Sequence, residues 1–193
     1  IYGAYPELVM AGSIRDKQQY LQELVNTWLL KDLLAFEDIR NPQKLRDLLR
    51  LLAWQVGAEV SNQELGKQLG LSKNTVERYL DLLSKVFVIY QRQGFSRNLR
   101  KEVVKSSKWY FTDNGVRNAL IGQFMPLAAR QDAGQLWENY LMAERIKYHA
   151  YHQHAVQSYF WRTYDQQKLD LVEEENGSLR AYEMKWGDAR PKP

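Results

Sequence analysis

Glu183 and Lys185 stand two apart in LRAYEMKWGD, residues 179–188. Leu179, Ala181, Met184 and Trp186 are apolar and Tyr182 is β-prone, so the stretch reads as a β-strand. Residues i and i+2 of a strand share a face, which sets an acid and an ammonium side by side. Asp170 lies in the preceding apolar run, KLDLV, and Asn176-Gly177 between the two runs is a strong hairpin signal. A hairpin there brings Asp170 beside Glu183, and Glu138, near the start of the preceding helix, can close the cluster. Carboxylate oxygens suit a hard cation such as Mg²⁺, with Asp170 and Glu183 as its ligands. Beside a phosphodiester, such a set can orient and deprotonate water, with Lys185 as base or charge stabiliser. The same residues can instead form a solvated ladder of opposite charges, worth a few tenths of a kcal/mol.

His149 and His152 lie at i, i+3, a spacing metal ligands use. They fall at a predicted helix end, where the dipole favours histidine, and have no acid or cysteine near them in sequence. A metal site is not the expected role. GxxxxGK[ST], GxSxG and HExxH patterns are absent from the 193 residues, which excludes a P-loop within this chain.

These groups need elements to hold them. AGQLWENYLMAERIKYHAY reads as one long helix carrying Glu138, followed by strand-like runs at 158–164, 168–175 and 179–186. Upstream, Ser13 caps a helix predicted through DKQQYLQELVNTWLLKDLLAF, with Tyr20, Leu21, Leu24, Trp28 and Leu29 at helical spacing. Asn41-Pro42 opens a second helix, PQKLRDLLRLLAWQVG, which stacks Leu45, Leu48, Leu49, Leu52 and Ala53. Ser61 and Glu64 form a capping box before a short helix ending at Gly70, and Ser72 caps the next. Two short helices joined by a tight glycine turn form a helix-turn-helix. The strands VFVIYQ and KWYFTD follow, around the basic loop GFSRNLRKEVVKSS. Helix, helix, helix, strand, basic loop, strand is the order of a winged helix. Asp113 then caps NGVRNALIG.

Charge points the same way. The chain carries net +4, yet residues 72–108 hold nine Lys and Arg against three acids. A local basic patch on a nearly neutral chain is the footprint of a polyanion partner. A recognition helix would present Lys73, Asn74, Thr75 and Arg78 to base edges, and Arg97, Arg100, Lys101 and Lys105 of the wing would reach phosphates. Docking to a protein is the alternative use of such a module. The chain has no cysteine, which fits a cytoplasmic protein, and no apolar run long enough to span a membrane. It starts at Ile1 and reads as a piece of a longer protein.

Taken in order, YGAYPELV, LLKDLLAF, GAEVSNQELGKQLGLSKNTVERYLDLLSKVFVIY, GFSRNLRKEVVKSSKWYFTDNGVRNAL, LWENY, FWRT, KLDLV and AYEMKWG resemble the C-terminal region of bacterial and archaeal AAA-type ATPases that end in a domain of unknown function. The resemblance implies an ATP-binding P-loop domain upstream as partner, then a winged helix, then a domain like the PD-(D/E)XK endonucleases. It also implies that Glu138, Asp170, Glu183 and Lys185 occupy the nuclease-like motif positions. Lys168 stands where that family usually has an acid. The expected fold is α+β: a helical lead-in over 1–41, a winged helix over 42–122, and a partial endonuclease-like domain over 123–193. The expected function is a DNA-associated module of a larger ATPase, with Mg²⁺-dependent nuclease activity as its sharper form and a regulatory docking module as the rival.

Overall fold

The computed structural model describes residues 1–29, 39, 41–96, 107–163 and 167–187, with seven α-helices and one six-stranded mixed sheet. The fold is α+β, as the sequence predicts. A short α1 (Pro6–Met10) precedes α2 (Ile14–Glu23), where the Ser13 hydroxyl oxygen accepts from the Asp16 N–H at 3.1 Å. The expected long helix changes character after Glu23: residues Leu24–Leu29 form a π-helix. Its wider turn shifts the side-chain phase, so the three-and-four spacing does not describe one straight α-helix here. The predicted stretch beyond 29 lies outside the described residues.

Helix α3 (Pro42–Trp54) buries the predicted stripe of Leu45, Leu48, Leu49, Leu52 and Ala53. After β1 (Glu59–Val60), Ser61 and Ser72 cap α4 (Asn62–Leu69) and α5 (Lys73–Lys85), which form the expected helix-turn-helix. Val76, Tyr79, Leu80, Leu82 and Leu83 of α5 join the stripe of α3 in one core. β2 (Ile89–Gly94) pairs antiparallel with β3 (Ser107–Phe111), from Ile89↔Phe111 to Arg92↔Lys108, and β1 adds to the far side of β3.

The chain's first residues close on α6 (Asn114–Ile121). The Asp113 carboxylate caps α6 at Val116 N–H (3.0 Å) and accepts from Ala4 N–H (2.7 Å). Approach is close enough to demand glycine: a Cβ on Gly115 would sit 2.2 Å from the Tyr2 carbonyl oxygen. YGAY and FTDNG, separated by over a hundred residues, are two halves of one contact.

Helix α7 (Ala133–Tyr151) matches its predicted span, and β4 (Gln157–Arg162), β5 (Lys168–Glu175) and β6 (Ser178–Tyr182) form the expected antiparallel meander. Asn176 and Gly177 both have positive φ, 51° and 77°, as a tight hairpin turn requires. Two features differ from expectation. β6 ends at Tyr182, so Glu183 and Lys185 lie just past the strand rather than within it. And β2 pairs in parallel with β4 at Gln93↔Tyr159 and Gly94↔Phe160, which joins all strands in the order β1-β3-β2-β4-β5-β6. Among the described residues no helix is long and apolar enough to cross a membrane.

α7 is fastened to β3 by Asn139. Its side-chain oxygen accepts from Phe111 N–H (2.7 Å), and its amide donates to the Phe111 carbonyl (3.0 Å) and to Asn114 Oδ1 (2.8 Å). The amide acts as a one-residue strand partner where β1 no longer reaches. Asn139→Ala would strand a buried N–H and C=O and is expected to cost about 2–3 kcal/mol. Chemical denaturation measures it, and a loss under 1 kcal/mol would refute this role.

Candidate functional site

The β5–β6 register places Leu171 opposite Tyr182, and the next step back sets Asp170 opposite Glu183. No backbone rung forms there. Instead Asp170, 4% exposed, accepts from the Met184 N–H through Oδ2 at 2.8 Å. The carboxylate thus takes over the ladder and pins the Glu183–Lys185 segment to the end of β5. Glu183 accepts a hydrogen bond from the Lys185 ammonium, which confirms that the two side chains project together. That bond raises the Lys185 pKa, and the charges of Glu183, Asp170 and Glu138 add to the effect. A lysine held in its charged form suits stabilisation of negative charge, not proton abstraction.

Glu138 comes from α7 and faces β3. Its Oε1 accepts from the Tyr110 hydroxyl at 2.6 Å and lies 3.3 Å from Lys108 Nζ. Burial, then the Glu138 charge, pushes the Tyr110 hydroxyl's pKa up, so it stays a donor. The buried Lys108 also sits 5.5 Å from the Phe160 ring centre. Asp170, Glu183, Lys185 and Glu138 are therefore electrostatic neighbours, at the place where the β2–β3 hairpin meets the meander. Lys108 and Tyr110 belong to that neighbourhood too. Sequence reasoning counted Lys108 only as basic charge, and the signal it missed was the alternation of KWYF toward α7.

The donor set allows a test of the implied Mg²⁺. Mg²⁺ is usually held by one or two carboxylates, with water and substrate phosphate completing six oxygens. Asp170 and Glu183 supply that number. Among the described residues no group of three or more His, Cys, Asp or Glu is arranged to hold a metal ion. Two carboxylates of this kind would suit a cation that brings phosphate and water with it, and would not suit one that needs a protein cage.

A second charged cluster lies farther along the same elements. Glu173, 2% exposed on β5, accepts from Arg145 through both oxygens and lies 2.8 Å from His149 Nε2. His149 therefore has an acid partner after all, supplied by the fold rather than by its sequence neighbours.

On α5, Lys73, Asn74 and Arg78 are exposed as a reading helix requires, whereas Thr75 is half-buried in the Ser72 cap, with its backbone N–H on Ser72 Oγ at 3.1 Å. Lys73 pairs with Glu77 at 3.3 Å, and Asn62 donates to the same carboxylate at 3.2 Å. Lys85 pairs with Asp81 at 2.7 Å. This face carries charge of both signs. Arg97, Arg100, Lys101 and Lys105 lie outside the described residues.

Comparison with known proteins adds the following. Residues 133–193 match a second domain of unknown function, DUF4143. Uncharacterized proteins from Mycobacterium bovis and Mycobacterium tuberculosis are each 29% identical over 186 residues, covering 95% of this chain and 41% of theirs. An uncharacterized protein from Haemophilus influenzae is 26% identical over 127 residues, covering 63% of this chain and 32% of its own. The chain thus spans about two fifths or less of the length of these relatives. No solved structure matches. Residues 1–127, more than half of the chain, match the domain of unknown function DUF8612, and the chain belongs to that family.

Proposed function

We propose that the chain is a DNA-associated module of a larger ATPase, and that Asp170, Glu183, Lys185 and Glu138 form a phosphodiester-hydrolysing site. The supporting observation is the convergence of an acid from β5, an acid and a lysine after β6, and an acid from α7, with Asp170 itself holding the Glu183–Lys185 segment. The ATPase context rests on the DUF4143 match, a domain commonly found at the C-terminus of AAA ATPases.

In this reading Asp170 and Glu183 face the scissile phosphate and hold a water in line with it. Asp170 and Glu183 are the residues that would hold Mg²⁺, which would supply charge neutralisation at the phosphate and a more acidic water. Lys185, kept as an ammonium, stabilises charge on the phosphate as the transition state forms. Glu138 keeps Tyr110 and Lys108 in place and adds negative field behind Lys185.

Asp170→Ala is expected to lower Mg²⁺-dependent DNA cleavage at least about a hundredfold, the scale of losing an electrostatic contact made in the transition state. Absence of cleavage with Mg²⁺ or Mn²⁺, or an Asp170→Ala variant as active as the parent, overturns the nuclease reading. DNA association has its own test. Affinity should fall steeply with salt, and less steeply for the Arg97/Arg100/Lys101 triple alanine variant.

A cleft favours the rival reading. Leu80, Phe87, Ile89, Tyr90, Trp109 and Ile146 line about 510 Å³ between α5, the β2–β3 hairpin and α7. A docking module would use it for an apolar side chain of a partner, and salt-independent binding with no cleavage would favour that use.

A further inference from the structure

Arg46 and Arg50 stand one turn apart on α3, so their side chains share a helix face. Both line a pocket of about 270 Å³ between α2, the π-helix, α3 and the end of α6. Gln22 and Asn26 bring two side-chain amides to it, and the buried Val25 and Leu120 form its apolar wall. Arg46 is half-buried and Arg50 exposed, so the pocket is open to a solute. Among the described residues neither guanidinium makes an ion pair or a hydrogen bond, and no acid lines the pocket. The acids closest in sequence are engaged elsewhere: Asp47 accepts from Gln43 and Glu23 from Gln19, each at 2.9 Å. Arg117, Arg130 and Arg145, by contrast, each have a carboxylate. The C-terminal end of α6 carries a partial charge of about −0.5, which offsets only a quarter of two full positive charges.

We infer that this pocket binds a terminal phosphate group, from inorganic phosphate or a small phosphomonoester. Such a group carries close to two negative charges and three strong acceptor oxygens, which matches two guanidiniums. Each arginine can donate to it through a parallel pair of N–H groups, and the amides of Gln22 and Asn26 supply further donors. A backbone diester has one charge and two free oxygens, and would leave one arginine without a partner. None of these residues belongs to the Asp170 cluster, so phosphate binding here is independent of hydrolysis there.

Calorimetric titration of the chain at low ionic strength with inorganic phosphate, adenosine monophosphate, adenosine and acetate reads the site. Phosphate is expected to bind, with acetate and adenosine about tenfold weaker or more. Arg50→Ala should weaken phosphate binding about tenfold or more, the scale of one lost charge-assisted hydrogen bond, and Arg46→Ala likewise. Arg50→Lys keeps the charge but not the fork and should recover part of the loss. Lys67→Ala removes an exposed charge of α4 outside the pocket and should change affinity less than twofold. Asp170→Ala should also leave phosphate binding within twofold, whether or not the parent cleaves DNA. Equal affinity for phosphate and the monophosphate supports a site that reads the bare group, and tighter binding of the monophosphate supports one that also touches its carrier. Absence of phosphate binding by the parent overturns the inference. So do equal losses in Lys67→Ala and the arginine variants, and acetate or adenosine binding as tightly as phosphate.

Discussion

Replacing Asp132 with alanine is expected to remove about 3–5 kcal/mol of folding stability, the cost of leaving buried charge without its partner. Two buried arginines converge on this carboxylate. Arg117 NH1 reaches Asp132 Oδ2 at 2.5 Å, while Arg130 donates to Oδ1 and Oδ2 at 2.7 Å each. The arginine side chains are 1% and 0% exposed. Each guanidinium has other acceptors: Arg117 the Ala53 carbonyl, Arg130 the Gln123 carbonyl, and both Asn118 Oδ1. None of those acceptors carries charge. The network joins α3, α6 and the start of α7, and Asn118 extends it to the Ile1 carbonyl at 2.7 Å. Hydrogen bonds from Arg130 and then Arg117 hold the Asp132 pKa at about 2, below its ordinary 3.8, against the upward push of burial. A depressed acid stabilises the fold above its unfolded value. This contribution is full above about pH 4 and fades as pH falls toward 2. Asp132→Asn keeps the shape but not the charge, and should cost roughly half as much and flatten that acid-side slope. Urea denaturation from pH 2 to 7 reads both effects. An Asp132→Ala loss below 1 kcal/mol would mean the arginines find equivalent partners.

Long periodic segments were legible in sequence because one local rule covered many residues. α7 and β5 span the residues their patterns predict, and Asn176-Gly177 closes the hairpin between β5 and β6. That is why Asp170 could be set beside Glu183 beforehand: a single coded turn fixes their register. Contacts that no local rule carries were not legible. The parallel pairing of β2 with β4 is a two-rung contact, next to a register shift in β4 between Tyr159 and Trp161. Neither strand's alternation specifies it. The same holds for Gly3 and Gly115, whose shared requirement is visible only once Tyr2 lies against α6.

The site shows the same division. Its acid and lysine on the hairpin were readable, but Glu138's partners were not. Tyr110 and Lys108 come from the other half of the chain and meet Glu138 through the β3–α7 contact that Asn139 makes. The end of β6 was misjudged because apolar alternation continues through Met184 and Trp186, while the Asp170 side chain replaces the backbone rung that would extend the strand. Trp186 is apolar for a reason other than the sheet: its ring rests on Trp137.

Glu173→Ala is expected to cost about 3 kcal/mol, and its contrast with Asp170 separates an acid that holds the fold from one that we propose does chemistry. Leu169, Leu171 and Glu173 share a strand face by period two, so a carboxylate there enters an apolar stripe and must be paired. Arg145 Nε donates to Glu173 Oε1 at 2.9 Å, its NH2 donates to Oε2, and His149 Nε2 lies 2.8 Å from Oε1. The guanidinium also lies 4.9 Å from the Tyr182 ring centre. Truncating Glu173 leaves a buried histidine without its acid, and an Arg145 side chain that, at 30% exposure, can still find water. The second fact puts the cost at the low end of the range for broken buried pairs. Burial pushes Glu173 upward in pKa, but hydrogen bonds from Arg145 and His149 outweigh it and hold the acid below its ordinary 4.5. Its stabilisation is therefore complete above about pH 4.5 and is lost as pH falls through the lowered folded value. Glu173→Gln should lose that dependence while keeping most of the packing. Asp170→Asn, three residues earlier, retains an acceptor for Met184 N–H and should leave the denaturation midpoint nearly unchanged while DNA cleavage falls. The converse pattern, a stable Glu173→Ala and an unfolded Asp170→Asn, would show that Asp170 rather than Glu173 is the acid that holds the fold.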